Sequence, residues 1–178
     1  SPAENSRTDS YSAASLENRM RLGLEIVRAV RKTAGDRMLL LYRHTPVKDG
    51  SYPLEDSLAF AAELVRAGVD VLDISPSSQD APGDRAEPFR AFGVPVIAVG
   101  KLDEPGRAEE ALRRGRADLV AVGRGQIADP LWASKVERGE WDRLVVCTKC
   151  NRRCFGNLRR GQPIACSEWP EVKATESP

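Results

Sequence analysis

Two hydrophobic periods alternate along the chain. After a polar opening stretch (residues 1–14), Met20, Leu22, Leu24, Ile26, Val27 and Val30 recur at helical spacing. With Ser15 as N-cap and Gly35 as stop, they predict an amphipathic helix of about 15 residues. Met38 to Tyr42 is a continuous apolar run, which predicts a strand buried on both faces, as in a parallel sheet. The unit then repeats. A helix from Pro53 carries Leu58, Phe60, Ala61, Leu64 and Val65 and closes at Gly68; a strand follows over Val69–Ile74. Glu87–Phe92 predicts a short helix, Pro95–Val99 a strand, Pro105–Arg114 a helix and Asp118–Val122 a strand. A last helix runs from Pro130 to just before Gly139.

Strict alternation of helix and strand with short connections predicts an α/β fold with a parallel sheet. An open doubly wound sheet and a barrel both satisfy it. No Gly-x-Gly-x-x-Gly follows any strand, which weakens a dinucleotide-binding reading. Gly100 and Gly123 directly follow the third and fourth strands. Glycines at strand carboxyl ends allow backbone N–H groups to approach a phosphate closely. Ordinary turn glycines are the plainer alternative.

Composition adds limits. The chain has 178 residues, 41% hydrophobic and 30% charged, as expected of a globular chain. Its 27 Lys+Arg against 26 Asp+Glu give a net charge of +1 and no electrostatic case for nucleic acid. Apolar runs such as Val94–Val99 are far too short to span a bilayer, and the N-terminal residues lack a signal-peptide core. All 4 Cys fall between 147 and 166, which argues for one local metal site in a reducing, cytoplasmic compartment. In Cys147-x2-Cys150-x3-Cys154-x11-Cys166, three thiols are crowded and one stands apart. Zinc ribbons favour two separated Cys-x-x-Cys knuckles, so the spacing favours a [4Fe–4S] cluster, with zinc the alternative. Arg152, Arg153, Arg159 and Arg160 lie around the motif and would offset an anionic cluster.

Several motifs carry a family resemblance. Ser1-Pro2-x-x-Asn5-x-Arg7-Thr8-Asp9-x-Tyr11, Ser15-Leu16-Glu17-Asn18-Arg19, Val94 to Gly100, and Ala117 to Pro130 occur in order. Together with the cysteine spacing and Asn151 after the second Cys, they resemble the iron–sulfur branch of the Old Yellow Enzyme family, the 2,4-dienoyl-CoA reductase and trimethylamine dehydrogenase type. Ser12-Ala13-Ala14 departs from the family's usual Gly-Gly pair. The resemblance covers about residues 1–170.

It implies the C-terminal half of a (β/α)8 TIM barrel, its last four β/α units, over residues 1–140. A four-cysteine iron–sulfur arm over 141–170 and a polar tail over 171–178 would follow. It implies FMN at the barrel mouth, with Arg43 facing the flavin N1/O2 edge and Gly100, Lys101, Gly123 and Arg124 on the phosphate. Cys147, Cys150, Cys154 and Cys166 would hold the cluster. NAD(P)H is the implied electron donor, and hydride would pass between reduced flavin and an unsaturated or amine small-molecule substrate. No catalytic residue is assigned: the family's substrate-binding and acid positions precede residue 1, and 75–84 lacks the His found there in the dienoyl-CoA reductases. His44, the only histidine, is a flavin-site neighbour, a loop residue or a general acid. Four strands cannot close a barrel. An N-terminal half-barrel, in the same or a separate chain, or self-association is therefore expected. The alternative function is a non-catalytic half-barrel subunit that binds a partner and carries an iron–sulfur or zinc centre.

Overall fold

The computed structural model describes residues 1–48, 51–78 and 85–172. Its four strands are β1 (Leu41–His44), β2 (Val71–Ile74), β3 (Val96–Val99) and β4 (Leu119–Ala121). They form one parallel sheet in the sequential order β1-β2-β3-β4. A doubly wound sheet reverses strand order at its switch point; a barrel does not. The sequential order therefore selects the barrel-type arrangement.

The helices are α1 (Leu16–Ala34), α2 (Leu54–Arg66), α3 (Pro105–Arg113), α4 (Arg124–Ala128), α5 (Trp132–Glu137) and α6 (Phe155–Arg159). By contact the chain divides into two compact units: Ser1–Lys101 with Glu110–Ala121, and Leu102–Glu109 with Val122–Pro178.

The first unit holds the sheet. Ser15 caps α1 by accepting from the Asn18 N–H, and Gly35 ends it with φ 68°. Helices α1 and α2 approach closely at Gly23, where an added Cβ would lie 2.6 Å from Phe60 Cζ. The core gathers Val27, Ala61, Leu64, Leu72, Ile74, Phe89, Val96 and Ala98, all nearly inaccessible.

Strand β1 departs from expectation. It begins three residues later than the apolar run, and its side chains are not buried on both faces. Hydrogen bonding sets the start. The Asp70 carboxylate accepts from the Leu40 N–H at 2.8 Å, while Leu40 O accepts from the Asp70 and Val71 N–H groups. Arg31 donates to Met38 O and pairs with Asp70. Met38, Leu39 and Leu41 stay exposed because β1 is an edge strand with one neighbour. Strand β2, paired on both sides, is buried at Val71, Leu72 and Ile74. The segment Glu87–Phe92 is a 3-10 helix, ended by Gly93 in the left-handed region.

The second unit is built around buried Asp129. Its carboxylate binds Lys135 Nζ at 2.6 Å and accepts from the Leu131 and Val145 N–H groups at 3.0 and 2.9 Å. Trp132 Nε1–H donates to Asp103 O, and Trp169 Nε1–H to Ile127 O and Ala128 O. These two indoles are tethered packing groups. Among the described residues no helix is long and apolar enough to cross a membrane.

Candidate functional site

The carboxyl end of β1 carries Arg43 and His44. In the parallel register Arg43 lies beside Asp73 of β2. Its guanidinium donates to Asp73 Oδ2 at 3.0 Å and to Ser75 Oγ at 2.7 Å. The Arg43 side chain is 59% exposed, while that of Asp73 is only 17% exposed. The charge is thus presented outward from a sheltered carboxylate. Asp73 Oδ1 is buried and has no partner among the described residues.

His44 belongs to an aromatic cluster with Tyr42, Phe60 and Phe89, at ring separations of 6.4, 5.7 and 6.1 Å. Burial there disfavours the imidazolium and pushes its pKa down to about 4. The ring is therefore neutral at pH 7. His44 and Ser57 line a cavity of about 70 Å³. His44 Nε2 and Ser57 Oγ are both buried and have no hydrogen-bond partner among the described residues. That combination suits ordered water.

At the end of β3, Gly100 (φ 113°) and Lys101 (φ 56°) both turn the backbone through positive φ. Such a conformation is uncommon for a lysine and is a feature of ligand-contacting loops. After β4, Gly123 caps α4 with no side-chain cap bond, and its carbonyl accepts from Gln126 and Ile127. Those two bonds close the first turn of α4. Gly125 allows a close approach: an added Cβ would sit 2.8 Å from both Asp103 Cβ and Val122 Cγ1. Arg124 donates to Asn151 Oδ1 at 3.0 Å, tying this turn to the cysteine segment.

All four cysteines are free thiols. Cys147, Cys154 and Cys166 are partly buried, and Cys150 is exposed. Their loop holds Lys149 and Asn151 in the left-handed region, at φ 59° and 57°. Cys150 has a lowered pKa, chiefly through the Arg152 N–H, helped by Thr148 and Ser167. Cys166 has a raised pKa, through burial first and then the neighbouring Cys147 and Cys150 thiols, against a bond from the Glu168 N–H. Among the described residues no group of three or more His, Cys, Asp or Glu is closed into a metal-ligating set. The donor chemistry nevertheless suits an iron–sulfur group: soft thiols, backbone N–H groups aimed at sulfur, and cationic neighbours.

Three features escape sequence reasoning. They are the Arg43–Asp73 pair, the Asp129 hub and the packing role of Gly125. Only the first leaves a trace, a charged residue inside an apolar run in each of two neighbouring strands.

Sequential parallel strands, strand-end glycines and cations, and a thiol-rich arm define a barrel oxidoreductase type of chain. The family described as NADH:flavin oxidoreductase / NADH oxidase matches residues 1–142. The chain belongs to that family and is similar to the C-terminal part of its Old Yellow Enzyme-like, iron–sulfur-branch members. It is 36% identical to the NADH oxidase of Thermoanaerobacter brockii over 97% of this chain and 31% of that protein. The structure of 6-hydroxypseudooxynicotine amine oxidase from Pseudomonas geniculata superposes with a TM-score of 0.76 at 26% identity, covering 96% of this chain and 28% of that one. Histamine dehydrogenase from Rhizobium sp. gives 0.71 at 26% identity, covering 97% and 22%. The strand–helix units are thus part of a TIM-barrel oxidoreductase fold. The chain spans less than a third of the length of each of these three proteins.

Proposed function

We propose that the chain is part of an FMN- and [4Fe–4S]-dependent oxidoreductase. The observation that carries the reading is the placement of Arg43 at the carboxyl end of a barrel strand, its charge fixed by Asp73 and Ser75 and presented outward. Bound FMN would supply hydride transfer to an unsaturated or amine substrate, with NAD(P)H as donor. Arg43 would place a fixed cation at the N1/O2 edge. Gly100 and Lys101 after β3, and Gly123 and Arg124 after β4, would contribute backbone N–H groups and charge to the phosphate. The positive φ of Gly100 and Lys101 supports this use after β3. Cys147, Cys150, Cys154 and Cys166 would hold the cluster, and the need for reduced thiols accords with a cytoplasmic site. His44 is held neutral by burial in its aromatic cluster and is assigned no catalytic role.

The missing strands are expected from an N-terminal half-barrel. Leu22, Ile26 and Val30 form an exposed apolar stripe at i, i+4, i+8 on α1, and edge residues Leu41 and Leu119 are also exposed. Such surfaces require cover. The same surfaces favour a second reading, a non-catalytic half-barrel subunit that carries a metal centre to a partner.

The test is anaerobic purification of the full-length protein, or of this chain with its N-terminal half, followed by flavin release and sedimentation. Stoichiometric FMN in a 1:1 assembly supports the enzyme. An assembly that binds no FMN but retains metal favours the subunit.

A further inference from the structure

We propose that Asp73 is a positioning residue that sets how much positive charge Arg43 presents to bound flavin. The inference rests on the FMN reading above and deepens it. Arg43 and Asp73 are register partners on adjacent parallel strands, so their side chains emerge on one face of the sheet. The carboxylate holds one guanidinium nitrogen at 3.0 Å, and Ser75 Oγ holds the other at 2.7 Å. Two anchors fix a planar fork, which a lysine could not reproduce. Asp73 is the sheltered partner and Arg43 the exposed one, so the charge that reaches a ligand is the cation's, reduced by the anion behind it. Asp73 Oδ1, buried without a partner among the described residues, shows that local packing alone does not account for a carboxylate at this position. An apolar residue would satisfy packing at lower cost.

The consequence is electrostatic. Two electrons and one proton convert the neutral oxidised isoalloxazine into its anionic reduced form. The electrons come from the NAD(P)H-class donor in turnover, or from dithionite in a titration. A cation at the ring edge favours the anionic product, and a carboxylate paired to that cation weakens the bias. Asp73 thereby holds the bound flavin more reducing than Arg43 alone would, which suits hydride donation to a poor acceptor.

The experiment is an anaerobic redox titration of the FMN-loaded full-length protein against a reference dye, for wild type, Asp73→Asn and Ser75→Ala. For Asp73→Asn the expected result is retained FMN, an unchanged far-ultraviolet spectrum, and a reduced-to-oxidised ratio about tenfold higher at fixed potential, or about 30 mV for a two-electron couple. Ser75→Ala loosens the guanidinium without changing charge and is expected to shift the ratio less than Asp73→Asn does. A folded, FMN-bound Asp73→Asn protein with the wild-type ratio overturns the proposal. So does an equal shift in Ser75→Ala, which would make loosening rather than charge the cause. Should Asp73→Asn not fold, Asp73→Ser carries the same expectation and the same refutation. A wild-type protein that binds no FMN defeats the functional reading itself, a result distinct from an unshifted variant.

Discussion

Arg124 and Asn151 are joined by a 3.0 Å hydrogen bond that links the turn after β4 to the loop between the second and third cysteines. Asn151 is suited to this post. It sits in the left-handed region at φ 57°, which Asn tolerates better than most residues, and its carbonyl accepts from the Gly156 N–H at 2.9 Å. Arg124, proposed above as a phosphate contact, and the cysteine segment therefore share one anchor. Asn151→Ala removes the acceptor. With a net hydrogen-bond contribution of about 1 kcal/mol, FMN affinity is expected to fall about fivefold in a fluorescence titration. Unchanged affinity would show that Arg124 does not depend on Asn151.

The neutral state of His44 predicts a pH dependence. Its folded pKa of about 4 lies below the unfolded value near 6.5, so between the two the unfolded chain binds more protons. Stability is therefore unaffected by this group above about pH 6.5 and falls as pH drops toward 4. The full loss is about 3 kcal/mol. His44→Gln should flatten this limb in urea denaturation from pH 7 to pH 4. A limb of equal slope in the variant would count against the assignment.

Asp129 should be a stability residue. Burial works against its charge, but Lys135 and the Val145 and Leu131 N–H groups prevail and hold its pKa below the usual carboxylate value. Its contribution is present above the unfolded pKa near 3.9 and lost as pH falls through the lower folded value. Asp129→Asn keeps the shape and removes the charge from a buried hub. A cost of about 2–3 kcal/mol is expected in chemical denaturation at pH 7. A change below about 0.5 kcal/mol, the size of an ordinary surface substitution, would show that the hub is not needed.

Gly125 is constrained by space rather than by backbone angle. Gly125→Ala places a methyl group 2.8 Å from Asp103 Cβ and Val122 Cγ1. Overpacking of this kind costs about 1–3 kcal/mol, and thermal unfolding would register it as a lower Tm. An unchanged Tm would mean that the turn relaxes freely.

Legibility in the sequence followed the range of the interactions. Ser15 and Gly35 were readable as the ends of α1 because capping is local. The parallel order was readable because each strand–helix unit repeats. The placement of β1 was misjudged because Met38 and Leu39 are as apolar as a buried strand, whereas the start is fixed by Asp70, thirty residues away from Leu40. Helix α4, Arg124–Ala128, is too short to show a period and was missed. The Arg43–Asp73 pair left only a charged residue in each of two apolar runs, because their pairing depends on strand register. The candidate site residues were named from family motifs, while their supports, Asp73, Ser75 and Asn151, emerged as anchors only from the fold.

On the proposed function, this chain carries residues for both a flavin and a cluster. The most direct measurement is iron, acid-labile sulfide, zinc and FMN content of the anaerobically purified full-length protein, read with its visible spectrum. The expected result is iron and sulfide in the proportions of one [4Fe–4S] cluster and one FMN per chain, with the iron and sulfide lost when Cys147, Cys150, Cys154 or Cys166 is replaced by Ser. A colourless protein holding stoichiometric zinc and no flavin would contradict it.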